Sequence, residues 1–266
     1  MVPRRLPVAL VPVAAAAALV AVSGCGAGGT PGAAADVALY TQQAAPLSPL
    51  SGADTTPTPQ PSPSADALPQ QLPRLGERTL AEVPPDARQV VVVTGRGKNS
   101  SVSQAVLYRR TAAGWQSGAT WAAHNAKDGW IAGQNHRAGD LHSPIGVFAL
   151  TDAGGRLPDP GTRLAYDHAP GGFSIGGTGF DGEPLAGSFD YVVAINYNRE
   201  RGTTPLDSTR PEGVARGGGI WLHVDHGGPT HGCVSLSKAH MKTLLRTLDP
   251  SLHPVVVMGD VTSLAR

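Results

Sequence analysis

The chain reads as mostly β with one or two helices, a single folded domain behind a long polar leader. Three observations predict this. Its apolar runs are short, β-branched and bounded by Gly or Pro, the pattern of strands. One stretch near the C-terminal end carries apolar residues at helical spacing. Near residue 85 the composition changes from Pro-, Thr-, Ser- and Ala-rich sequence to a globular mixture.

Residues 1–24 have the anatomy of a secretory signal peptide. Arg4 and Arg5 form a positive start, Leu6 to Val22 an apolar run, and Val22-Ser23-Gly24-Cys25 a small-residue exit. The run falls short of the ~20 residues a membrane-spanning helix needs. Ending on a cysteine resembles a bacterial lipobox, which implies that Cys25 becomes a lipid-bearing first residue. The expected location is extracytoplasmic, lipid-anchored to the cell membrane and reaching the cell wall. Residues 25–85, with Thr55-Thr56-Pro57-Thr58-Pro59-Gln60-Pro61-Ser62-Pro63 at their centre, cannot bury enough apolar surface to offset ordering entropy and read as a disordered tether. Residues 86–266 form the expected catalytic domain.

Within that domain the strand candidates, in order, are Gln89–Thr94, Ala105–Arg110, Ser117–Ala122, Gly146–Leu150, Tyr191–Tyr197, Gly219–Val224 and Pro254–Met258. Ala113-Gly114 suits a hairpin turn between the second and third. The Gly-, Pro- and Asp-rich stretch from Asp152 to Gly187 reads as surface loops over this framework. Ser237 can cap a helix that places Met241, Leu244, Leu245 and Leu248 on one face, and Pro250 ends it.

Lys and Arg number 21 against 20 Asp and Glu, and removing residues 1–24 takes away two arginines and no acid. A near-neutral balance argues against nucleic acid as a partner. Of the two cysteines, Cys233 is left unpaired if Cys25 carries lipid, and a lone thiol outside the cytoplasm calls for a use. Cys233 follows Thr230-His231-Gly232 and lies ten positions after His223, which ends the apolar stretch from Ile220. A thiolate is the effective nucleophile, and a neighbouring imidazole can generate it near neutral pH. His223, held at a strand end, is the candidate general acid/base. The carbonyl of Val224 is one acceptor able to fix its tautomer. Gly232 allows a sharp turn that turns the Gly232 and Cys233 N–H groups toward a developing oxyanion, while Thr230 and His231 support the loop. Arg137, Tyr197, Asn198 and Arg199 are candidates for substrate carboxylates or amides. Asp225 and His226 read as loop residues, and His124, His136, His142, His168, His240 and His253 as surface or loop histidines.

The Thr-His-Gly-Cys-Val run after a strand-ending histidine resembles the signature of the L,D-transpeptidase (YkuD-like) family. So does Arg137-Ala138-Gly139-Asp140-Leu141-His142-Ser143-Pro144-Ile145-Gly146-Val147-Phe148, as does Asp190-Tyr191-Val192-Val193-Ala194-Ile195-Asn196-Tyr197-Asn198 before the glycine-rich lead to Ile220. The resemblance spans about residues 137–258. It implies a β-sandwich-like fold with the nucleophile in a loop before a helix. It also implies cleavage of an L,D-peptide bond in a peptidoglycan stem tetrapeptide, with Cys233 as nucleophile and His223 as general acid/base. D-Ala would leave, and an amine from a second stem would resolve the thioester into a 3–3 cross-link. No metal or organic cofactor is implied, and carbapenem-type inhibitors are expected. Two departures stand out: only six residues separate His223 from Thr230, and Ser235 stands where a polar or basic side chain often follows the cysteine. The residues leave other readings open: an L,D-carboxypeptidase on the same site, a non-catalytic wall-binding lipoprotein, a core cysteine, or a zinc site from His223, His226, His231 and Cys233.

Overall fold

The computed structural model describes residues 67–266. The expected signal peptide, Cys25 and the tether as far as residue 66 lie outside the described residues. Eleven strands form one hydrogen-bonded sheet. They are β1 (Gln89–Gly95), β2 (Val102–Thr111), β3 (Gly114–His124), β4 (Trp130–Ala132), β5 (Ser143–Ala149), β6 (Asp152–Gly155), β7 (Ala165–His168), β8 (Val192–Ala194), β9 (Trp221–Val224), β10 (Val234–Leu236) and β11 (Val255–Asp260). The helices are α1 (Glu77–Glu82), α2 (Lys238–Thr247) and α3 (Val261–Leu264). The order across the sheet is β4-β5-β11-β1-β2-β3-β10-β9-β8-β6-β7. Beyond β8, the Asn196 N–H donates to Ala149 O at 3.0 Å and ties that end of the sheet back to β5.

Successive strand side chains point to opposite faces, and both faces of β1 are covered. Val91 and Val93 enter a core with Leu222, Val224, Val234, Leu236 and the α2 side chains Met241, Leu244 and Leu245. Val90 and Val92 enter a second core with Trp115, Leu264, Leu72 and Leu75. A strand buried on both sides carries an unbroken apolar run, hence the four valines. Ser237 caps α2 as expected, its Oγ accepting the His240 N–H.

Three differences from the sequence expectation have local causes. The folded body starts before residue 85: Leu72 and Leu75 are buried, and α1 packs beside them with Leu80 against the second core. Leu72, Leu75 and Leu80 stand among Pro, Arg, Gly and Glu directly after a Pro-rich run, so the segment reads as part of the tether. The Asp152–Gly187 region contains β6 and β7, which pair in parallel; β6 is Asp-Ala-Gly-Gly, a run without β-forming side chains. β8 stops at Ala194, because the next donors turn to other partners: Ile195 N–H to Ile220 O and Tyr197 N–H to Ile195 O.

Candidate active site

β9 and β10 pair in parallel, Leu222 opposite Val234 and His223 opposite Ser235. Leu222, Val224, Val234 and Leu236 face the α2 core, so alternation sends Trp221, His223 and Ser235 to the other face. Cys233 directly precedes β10, in step with Ser235 on that same face. Two strands that anchor the core thus carry His223 and Cys233 on the same, opposite side of the pair.

Cys233 is half-buried. Its Sγ accepts the Trp221 N–H at 3.4 Å, and the thiol donates to Gly219 O at 3.6 Å. Burial pushes the thiol up to about 11, against a smaller downward pull from the Trp221 N–H. His223 is 3 % exposed. Its Nδ1–H donates to Val224 O at 2.9 Å, which leaves Nε2 as the basic nitrogen. Burial drags the imidazole down to about 4, despite the Val224 bond. Desolvation thus favours the neutral form of both the thiol and the imidazole at rest. The Phe189 ring meets the His223 ring edge-on at 5.4 Å, and the His226 ring stacks parallel to it at 5.8 Å.

The loop before Cys233 is held from both sides. Thr230 Oγ1 donates to Cys233 O at 2.6 Å and accepts the Gly232 N–H at 3.3 Å. Ser143 Oγ donates to Gly232 O at 2.8 Å and accepts the Ala126 N–H at 3.0 Å. The Thr230 backbone bonds Asn125 and Lys127. A Cβ at position 232 would lie 2.9 Å from Ile220 Cδ1, so that side-chain end would have to shift to admit one. Of the two backbone donors expected to meet an oxyanion, the Gly232 N–H is taken by Thr230 Oγ1, and the Cys233 N–H has no protein acceptor among the described residues. His231 is exposed, with the Phe180 ring 4.6 Å from its own.

The substrate-contact candidates fall elsewhere. Arg137 is exposed, and its guanidinium donates to the carbonyls of Gln134 and His136. Tyr197 is buried, its hydroxyl donating to Gly133 O and Arg216 O. Asn198 Nδ2 donates to Gly213 O and Gly217 O, while its Oδ1 accepts the Glu212 N–H. Tyr197 and Asn198 thus brace the 213–217 loop. Arg199 pairs with Asp152 at 2.7 Å, both buried. Asp225 joins the ends of β3 and β10: its Oδ1 accepts from Ser235 Oγ at 2.6 Å and meets His124 Nδ1 at 2.9 Å. Burial opposes its ionisation, but the bonds from His124 and Ser235 hold its carboxyl at about 2. Ser235 is fully buried in that bond, which explains its presence after the cysteine.

Ser143, Phe189 and Glu183 also lie around this loop and ring, contacting Gly232, His223 and His226 respectively, and none is among the sequence candidates. Ser143 lay inside the Ser-Pro-Ile-Gly-Val-Phe block, the one signal that marked it. His136 and His240 also differ from expectation. His136 is buried between two carbonyls, and His240 stacks on Trp121 at 5.0 Å with its Nδ1 buried. Among the described residues no group of three or more His, Cys, Asp or Glu is placed to hold a metal ion.

The model of the YkuD L,D-transpeptidase catalytic domain matches residues 87–257. The chain belongs to the L,D-transpeptidase (YkuD) family. This is a family of cysteine-dependent, peptidoglycan-modifying enzymes that act on stem peptides, and it includes L,D-carboxypeptidases as well as transpeptidases. A solved structure, that of Bdellovibrio bacteriovorus Bd1075, aligns at 16% identity with a TM-score of 0.34. The alignment covers 73% of this chain and 53% of that one, so the chain spans about half of that protein's length. No curated protein matches the chain.

Proposed function

We propose that this member of the family is a peptidoglycan L,D-transpeptidase with Cys233 as nucleophile and His223 as general acid/base. The observation that carries the reading is the His223 ring: Nδ1 is committed to the Val224 carbonyl, and Nε2 is left on the face that also carries Cys233. As Sγ attacks the carbonyl of the L,D-bond, Nε2 takes the thiol proton, and the oxyanion forms beside the Cys233 N–H. The imidazolium then protonates the departing amine of D-Ala. A buried imidazole is a strong acid once protonated, which suits it to this step. An amine from a second stem attacks the thioester, gives its proton to His223, and leaves a 3–3 cross-link and a free thiol. Because thiol and imidazole are neutral at rest, the thiolate forms during attack on bound donor.

In this reading a lipid on Cys25 holds the enzyme at the outer face of the membrane, and the segment before the domain lets it reach the wall. Carbapenem-type inhibitors acylate the same Sγ. The test is to incubate the protein with stem tetrapeptide, with and without an amine acceptor, and follow products and intact mass. Cross-linked dimer and a Cys233 adduct support transfer. Tripeptide alone assigns it to the carboxypeptidases of the family, and neither product removes the enzyme reading.

A further inference from the structure

One carboxylate between β7 and β8 has no part in the reaction above. Residues 177–185 close a small hairpin: Thr178 bridges Pro184, the Gly179 N–H donates to Glu183 O at 2.8 Å, and the Leu185 N–H donates to Gly177 O at 3.1 Å. Its turns use Gly177 and Gly182 at φ of 86° and 83°, which side-chain-bearing residues resist. From this hairpin Glu183 reaches the loop after His223. Its Oε1 lies 2.9 Å from His226 Nδ1, and its Oε2 accepts the Asp181 N–H at 2.8 Å. The carboxylate is threaded between Gly179 and Gly228, where a Cβ on either would collide with Oε1. The Glu183 and His226 side chains are only 12% and 6% exposed, unlike a loose surface ion pair.

The partner of Glu183 is one of the two rings that touch the base. His226 stacks on His223 at 5.8 Å with 10° between the planes. The other ring, Phe189, follows the hairpin directly, and the Ser188 O beside it accepts the Val224 N–H at 2.9 Å. Both contacts on the His223 ring therefore depend on where residues 177–189 sit.

We propose that Glu183 is a positioning residue for the base: by holding His226 against His223 it keeps Nε2 directed along the face that carries Cys233, and it does so only while the hairpin is docked. Docking of the hairpin and alignment of the base are then one event. This inference rests on His223 being the base, not on the identity of the acyl acceptor.

The experiment compares Glu183→Ala, Glu183→Gln, Glu183→Asp and Glu183→Ala/His226→Ala with wild type, following Cys233 acylation by stem tetrapeptide and its alkylation by iodoacetamide. A glutamine can satisfy the same site, its oxygen accepting the Asp181 N–H and its amide donating to His226 Nδ1. Glu183→Ala should slow acylation at saturating donor by ~10-fold or more, with a smaller change in half-saturating concentration, as misplacement of a reacting group does. Glu183→Gln should recover the rate to within ~3-fold, and Glu183→Asp, which keeps the charge but shortens the reach, should not. The double variant should be no slower than Glu183→Ala, since both break one chain of contacts. Wild-type rates in Glu183→Ala, a change confined to half-saturation, a double variant slower than Glu183→Ala, or a fast Asp beside a slow Gln would each overturn the proposal. If Glu183→Ala fails to fold, the Gln–Asp contrast decides. Alkylation needs no stem peptide. If wild type ignores tetrapeptide yet alkylates faster than His223→Ala, the transpeptidase reading falls while the Glu183 comparison still stands or fails on alkylation rates.

Discussion

His223 and His136 are each 3 % exposed, yet the fold uses their rings in opposite ways. Both nitrogens of His136 meet backbone carbonyls: Nδ1 lies 2.9 Å from Arg216 O and Nε2 3.1 Å from His142 O. Carbonyls flank the ring on both sides, so neither nitrogen is open toward a nucleophile, and the ring joins the 213–217 loop to the segment that enters β5. In His223 a carbonyl takes one nitrogen, and the other is left on the face shared with Cys233. Burial alone does not make a histidine a base. In the reading proposed above, what does so is an unengaged nitrogen on the face of a thiol, with the tautomer fixed from behind.

The contrast can be broken in graded ways. Replacing the nucleophile has the largest effect: Cys233→Ala should abolish the covalent adduct and turnover, read by intact mass and product analysis. Next, His223→Gln should lower the acylation rate by ~10²–10⁴, the scale of general acid/base catalysis, with the fold kept. His136→Gln should act mainly on stability, by about 1–2 kcal/mol for a lost buried hydrogen bond, read by denaturant unfolding. Tyr197→Phe, which removes one hydroxyl from the same loop, should cost about 1 kcal/mol or less.

Acidity sharpens the contrast further. The folded His223 titrates at about 4, below the ~6.5 of an unfolded histidine, so between these values the unfolded chain binds the extra proton. Its contribution to stability is complete above about pH 6.5 and is lost as pH falls toward 4. His223→Gln should therefore flatten the stability–pH curve across that window, as urea unfolding at a series of pH values would show. For the free enzyme the acid limb of kcat/KM should lie well below pH 6.5, since a neutral His223 suffices for activity.

Much of this site was readable in the sequence, because short-range chemistry is written locally. A single strand-ending histidine, a Thr-His-Gly-Cys loop and a Ser-capped helix marked the candidate nucleophile, the candidate base and the helix behind them, and the structure puts residues 223 and 233 on one face with that helix on the other. The Val224 carbonyl was also foreseeable, being the next residue in the chain. What was not readable arises from contacts distant in sequence. Ser143 reaches Gly232 across 89 positions, and Glu183 reaches His226 across 43. Neither position has a spacing to His223 or Cys233 that points to it. β6 was hidden for a different reason: Ala153 and its glycines enter the sheet through pairing with β7 and β8, without strand-forming side chains. Tyr197 and Asn198 looked available for substrate, since a sequence does not reveal which polar groups are already taken by loop carbonyls.

The most direct test follows Cys233 acylation by stem tetrapeptide with intact-protein mass spectrometry, in wild type, His223→Gln and His136→Gln side by side. Adduct should form quickly in wild type and, per folded molecule, in His136→Gln, and at least ~10²-fold more slowly in His223→Gln. Acylation of His223→Gln at the wild-type rate would contradict the assignment of His223 as the base that deprotonates Cys233.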